Sequence, residues 1–231
     1  MATIQRDTTF KKNSYEYAAW AKKLLVCGVD EVGRGCLAGP VVAGAVILYP
    51  GKKSHLIKDS KLLSPKQRLI AYQWIKKNSW NAIGIVHHRT IDRINIYQAT
   101  MMAMKRALTQ LFVQLADIPH YILVDAVPLL IATYPYDIVA FPFGESKSIS
   151  IAAASIIAKV SRDNLIKSID PLFPGYALSN HKGYSTPQHK QCIREFSAAI
   201  IHRKSFIDHF DYLYNSEQLN FFDSVTTEST P

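Results

Sequence analysis

Cysteine is scarce: only Cys27, Cys36 and Cys192 occur in 231 residues, and no two form a CxxC pair. That pattern argues against a disulfide framework and for core thiols in a reducing compartment. No stretch reaches the roughly 18 consecutive apolar residues of a membrane span. Residues 1–23 have neither the apolar run nor the small-residue cleavage site of a secretory signal. The expectation is therefore a cytoplasmic chain with no membrane association. The phosphate loop GxxxxGK[ST], the nucleophile elbow GxSxG and the zinc motif HExxH are missing too, which sets aside the chemistries they serve. Repeats and low-complexity tracts are absent.

The C-terminal segment is acidic. Residues 206–231 carry Asp208, Asp211, Glu217, Asp223 and Glu228 but no Lys or Arg, while the whole chain has a formal charge of +9. The first 205 residues thus hold 27 basic and 13 acidic side chains. A body this basic suits a polyanionic partner, through phosphate contacts and counterion release. The acidic tail, with aromatic residues that could dock and a polar end expected to be disordered, is a candidate site for a protein partner.

The apolar pattern predicts an α/β fold. Residues 24–29 and 40–49 read as buried strands joined by a Gly-rich turn, hence an antiparallel pair. Ser64-Pro65 opens a helix with a capping hydroxyl and a first-turn proline. A third strand is expected at 82–86 and a long helix at 91–116, where Ile94, Tyr97, Met101, Met104, Leu108, Leu111 and Leu115 recur at helical spacing. Strands at 121–124 and 137–143, then helices over 148–169 and 187–201, complete a mixed five-stranded sheet flanked by helices, with a C-terminal helical extension. The domain reading is an N-terminal extension over 1–23, one domain over 24–205 and the tail.

Carboxylates stand at strand ends. Asp30 and Glu31 close the first strand, Asp125 closes YILV, and Glu145 follows DIVAFPF. Adjacent strand residues face opposite ways, so Asp30 and Glu31 can share a ligand only if the strand breaks or Glu31 swings round at Gly33. Crowded carboxylates repel unless a cation sits among them, and oxygen ligands favour Mg2+ or Mn2+. Taken alone, Asp30 is as well explained as a turn cap. Asp163, within a helix, is a weaker candidate, and His87-His88 are expected to face opposite sides of a strand.

Other motifs suit a nucleic acid. Gly33-Arg34-Gly35 puts an arginine and unobstructed backbone beside the carboxylates. Ser60 and Lys61 offer a hydroxyl and an ammonium, and the run from His181 to Thr186 contains Lys182 and Tyr184 before a helix start.

With these residues in hand, the chain resembles the bacterial ribonuclease HII family. GVDEVGRGCLAGPVV, DSKLLS, IDRINIYQATMMAM, ILVDA, ISIAAASIIAKVSRD and HKGYSTPQH follow one another in the family's order. The resemblance implies a ribonuclease H-like fold. It also implies endonucleolytic cleavage of RNA in RNA–DNA hybrids and at single ribonucleotides in duplex DNA, by two metal ions, leaving a 3′-hydroxyl and a 5′-phosphate. By position, Asp30, Glu31 and Asp125 would hold the ions and Glu145 would join them in catalysis. Gly33, Arg34 and Gly35 would sense the 2′-hydroxyl, Tyr184 would stack on the next deoxyribose, and Ser60, Lys61 and Lys182 would help bind substrate. A monomer is expected. Two positions depart from the family pattern: Glu145 replaces an aspartate, and Ala126 replaces the glycine after the strand-end Asp. A catalytically silent binding module and another nuclease of the superfamily are the competing readings.

Overall fold

The computed structural model describes residues 11–129, 131–132 and 134–207. The acidic tail from residue 208 onward, for which docking and disorder are expected, lies outside them. Two compact units are present: one of Met1–Arg34 with Pro40–Leu165, the other of Gly35–Gly39 with Ile166–Pro231.

The first unit contains the sheet. In chain order its elements are α1 (Ser14–Ala21), β1 (Val26–Val32), β2 (Val41–Leu48), α2 (Pro65–Lys77), β3 (Ser79–Val86), α3 (His88–Phe112), β4 (Tyr121–Asp125), β5 (Asp137–Phe141) and α4 (Gly144–Lys147). The long helix α5 (Ile149–Ile169) follows. The strand order is β3-β2-β1-β4-β5. The three N-terminal strands pair antiparallel, and β4 and β5 join parallel to β1. This is the expected mixed five-stranded sheet. Among the described residues, no helix is long and apolar enough to cross a membrane.

Glycines let α5 lie close on the sheet. A Cβ on Gly28 would fall 2.0 Å from the Ser150 carbonyl carbon, and one on Gly44 would fall 2.5 Å from the Ala154 oxygen. The Ala-rich start of α5 supplies the matching small side chains. Directly paired residues share a face, and Gly44 pairs with Asp30, so Asp30 lies on the α5 side. Glu31 pairs with Ala43, which pairs with Gly84, and Gly84 packs against the Ala103 carbonyl of α3. Glu31 therefore starts from the α3 side.

Several elements differ from the sequence reading. The first strand continues through Asp30 and Glu31 to Val32 instead of ending at 29, because the Asp30 and Glu31 backbones still pair with Gly44 and Ala43. The helix at 91–116 starts earlier, at His88, and is broken at Asn95 (φ 67°, ψ 166°). There the Asn95 side chain accepts a 3.0 Å bond from the Gln98 N–H and recaps the helix. His87 and His88 are not on a strand: β3 stops at Val86, His87 is the extended residue just before α3 and His88 is the helix's first residue.

α1 is an element the sequence reading did not anticipate. Its buried Glu16 accepts a 3.1 Å bond from Ser150 N–H, and Asn13 Oδ1 accepts one of 2.8 Å from Ile149 N–H. These are the first amides of α5, left unpaired by the helix itself. A segment far away in sequence thus caps α5, which no local signal in α5 could reveal.

In the second unit, α6 (Leu178–His181), α7 (Pro187–Phe196) and α8 (Lys204–Ile207) form the expected C-terminal helical extension. Thr186 caps α7 by accepting from His189 N–H at 3.2 Å, one residue before the proline. Strand-like bridges tie Cys36 to Tyr184 and Ala38 to His202.

Candidate metal centre

The parallel register of β1 and β4 brings two carboxylates side by side. Val29 pairs with Val124, the last pair between β1 and β4, so Asp30 and Asp125 come next on adjacent strands. α4 begins three residues after β5 and adds Glu145. One oxygen from each of Asp30, Asp125 and Glu145 lies within 4.8 Å of the others.

Each side chain is held. Asp30 Oδ1 accepts from Glu31 N–H at 2.7 Å, and Asp125 Oδ1 accepts from Gly144 N–H at 2.7 Å. Glu145 Oε1 accepts a 2.6 Å bond from the Ser155 hydroxyl, and its Oε2 lies 3.7 Å from Lys61 Nζ. Burial, and then repulsion from Glu31, Asp125 and Glu145, raise the Asp30 pKa well above its ordinary value. Burial raises Asp125 and Glu145 too, Glu145 further through Asp59, while Gly144 N–H and Lys61 lower Asp125. Ionising a buried trio of this kind is costly, and a cation between the oxygens removes the penalty.

The donor set fits a divalent metal. All three converging groups are carboxylates, which suit Mg2+ or Mn2+ better than softer ions. Beside them Glu31 Oε2 is buried without a hydrogen-bond partner, an atom in need of a cation or donor.

The converging set differs from the metal trio expected from the sequence, with Glu145 standing where Glu31 was expected. Glu31 remains on the strand, and its Oε1 meets Arg34 Nη1 at 3.1 Å. Asp163 is removed from consideration because it pairs with Lys159 at 2.8 Å within α5.

The substrate-binding candidates separate into open and occupied groups. Arg34 is exposed, and a Cβ on Gly35 would meet nothing within 4 Å among the described residues. Gly33 has φ +89°, and a Cβ there would sit 2.3 Å from Nε of the buried Arg162, which donates to the Pro40 carbonyl at 2.9 Å. The group that needs bare backbone at Gly33 is therefore Arg162. Lys61 is open, its side chain 78% exposed. Ser60, expected to bind substrate, is buried with its hydroxyl 2.9 Å from that of Ser155. In the second unit Lys182 donates to the Ser179 carbonyl, and half-buried Tyr184 is fixed by its bridge to Cys36.

Three neighbours escaped the sequence reading: Asp59, whose carboxyl is lowered chiefly by its hydrogen bond with Glu145, together with Ser155 and Arg162. Asp59 was visible as the first residue of DSK; Ser155 and Arg162 lie inside an apolar helix and gave no signal.

The family model for ribonuclease HII matches residues 27–209. The chain belongs to the ribonuclease HII family. A ribonuclease HII of Listeria monocytogenes serotype 4b (strain F2365) is 43% identical over 216 residues, covering 90% of this chain and 77% of the relative. Among solved structures, ribonuclease H2 from Pyrococcus horikoshii OT3 matches with a TM-score of 0.66 at 26% identity, over 79% of this chain and 93% of its own. The PCNA:RNase HII complex from Archaeoglobus fulgidus matches with a TM-score of 0.63 at 25% identity, over 78% and 94%. The chain is a ribonuclease H enzyme, dependent like its family on divalent metal, and its class of substrate is the RNA–DNA hybrid.

Proposed function

We propose that this family member also incises duplex DNA 5′ of single embedded ribonucleotides, using two divalent ions and leaving a 3′-hydroxyl and a 5′-phosphate. The observation that carries the proposal is the convergence of Asp30, Asp125 and Glu145 within 4.8 Å at neighbouring strand ends. Those three would hold Mg2+ or Mn2+, with buried Glu31 as a further ligand. Bound ions would supply an activated water and charge stabilisation at the phosphate, so no histidine base is needed.

The chain's own groups do the selecting. Arg34, with the open backbone at Gly35, would meet the 2′-hydroxyl of the ribonucleotide, and Arg162 behind Gly33 keeps that turn in shape. Lys61 would neutralise phosphate charge while helping to hold Glu145. Tyr184 would stack on the deoxyribose that follows, with Lys182 beside it in the same loop. The tail from residue 206 is proposed to take a protein partner, a reading supported by the archaeal ribonuclease HII solved with PCNA.

The test is a DNA duplex containing one ribonucleotide, incubated with Mg2+, with Mn2+ and with EDTA. Cleavage at the 5′ side of that ribonucleotide in either metal and none in EDTA is expected; an intact duplex in all three would refute the proposal.

A further inference from the structure

A cavity of about 370 Å³ lies beside the metal centre, with Glu145 in its wall. Its other walls come from α1 and the loop 53–58, so α1's share lies outside the matched family segment 27–209. The floor is apolar, formed by Ile57, Ile149 and Ala152. The rim is basic: Lys12, Lys53, Lys58 and His55 are all exposed there. Among the described residues none of the three lysines has a carboxylate within ion-pair distance. Tyr17, 49% exposed, holds the Lys53 ammonium 5.7 Å from its ring centroid, a cation–π contact at the mouth of the cavity.

We infer that this cleft is a second nucleic-acid subsite, gripping the phosphodiester backbone of a polynucleotide strand as it leaves the metal centre on the α1 side. The three ammonium groups match phosphates, and the apolar floor accepts the face of a sugar or base. Anchoring supports the assignment. The Asn13 N–H donates to Lys147 O at 2.7 Å, and Asn13 and Glu16 accept from the first turn of α5, so α1 is tied to the segment that carries Glu145. A strand bound at the rim is thereby held in register with the metal ligands.

The inference rests on the nuclease reading for the identity of its ligand, but its test needs no cleavage. Binding of a fluorescein-labelled duplex with one ribonucleotide is followed by anisotropy in EDTA over a range of KCl, using the full chain. For K12E/K53E/K58E we expect affinity at 0.1 M salt to fall at least tenfold. The slope of log Kd against log salt should shrink by about 2–3, corresponding to three lost phosphate contacts. A control triple, K66E/K76E/K77E, makes the same charge change on the exposed side of α2 and should leave that slope near wild type. If the glutamate triple does not fold, K12Q/K53Q/K58Q gives the same readout with a smaller charge change. An unchanged slope in the cleft triple, or an equal loss in the α2 triple, overturns the subsite. Wild-type protein that fails to cut this duplex in metal while keeping the slope difference would sink the proposed incision at single ribonucleotides and leave the subsite standing.

Discussion

Ser155 donates a 2.6 Å hydrogen bond from its hydroxyl to Oε1 of Glu145, ten residues earlier in the chain. With its proton committed to an ionised Glu145, Ser155 Oγ must accept from Ser60 at 2.9 Å, so the bonds run from Ser60 to Ser155 to Glu145. The two hydroxyls orient a carboxylate that is one methylene longer than the aspartate usual in the family. Removing the donor in S155A should therefore loosen Glu145 and lower Mn2+ affinity by about tenfold or more. Calorimetric titration with Mn2+ checks this directly, and S155T, which keeps a hydroxyl, should recover most of the affinity. Equal Mn2+ affinity in wild type and S155A would remove the positioning role.

Asp30 gives a prediction about stability and pH. Its folded pKa is raised, first by burial and then by Glu31, Asp125 and Glu145, so the folded chain holds this proton to higher pH than the unfolded chain does. Its contribution to stability is therefore full below the ordinary carboxylate value of about 4 and is lost as pH rises through the elevated folded value. Metal binds the deprotonated form and reverses the trend. In EDTA at neutral pH, D30N should be more stable than wild type by about 1–2 kcal/mol, yet inactive. Melting curves at pH 5 and 8, with EDTA and with Mn2+, measure this. Parallel pH dependence of the two proteins in EDTA would contradict it.

Ala126 occupies left-handed backbone, φ 52°, immediately after Asp125, and its N–H donates to Phe141 O at 2.7 Å. An L-residue pays about 1–2 kcal/mol for that conformation, and glycine does not. A126G should raise stability by about 1 kcal/mol, net of the unfolded-state entropy that glycine adds, and raise Tm by about 2–4 °C. Thermal denaturation decides the sign, and a Tm below wild type would mean the turn is not strained.

Tyr184 bridges to Cys36 through its backbone, and the role proposed for its half-buried ring is stacking on a sugar. Stacking of this kind is worth about 1–3 kcal/mol. Y184A should therefore lose about tenfold or more on a duplex with a single ribonucleotide and much less on a long hybrid, as steady-state rates on both substrates would show. Equal losses on the two would argue against a junction-reading role.

Much of this architecture is readable locally. Apolar runs mark the strands, Ser64-Pro65 and Thr186-Pro187 mark two helix starts, and Asp30, Asp125 and Glu145 each stand out by following a strand. Ala126, where the family has glycine, singles out the turn after Asp125. Other features leave no local trace. The capping of α5 by Asn13 and Glu16 joins segments more than 130 residues apart. Ser155 and Arg162 look like helix interior, because a polar side chain in an apolar helix shows its purpose only when its partner is known. Asn95 reads as helix because the apolar spacing continues on both sides of the break.

Local chemistry, set by the order of residues, determined where the chain extends, where it turns and which strands end in carboxylates. Which carboxylates meet was decided only by the tertiary structure. Asp30 and Asp125 are brought together by the parallel register of β1 and β4, strands separated by the whole of β2, β3 and α3. Asp30 and Glu31 start from opposite faces because β1 stays extended through both; Glu31 Oε1 meets Arg34 at 3.1 Å, while its buried Oε2 has no hydrogen-bond partner and its charge still acts on Asp30. The third converging carboxylate is Glu145, which the fold supplies through α4 and holds from α5 through Ser155.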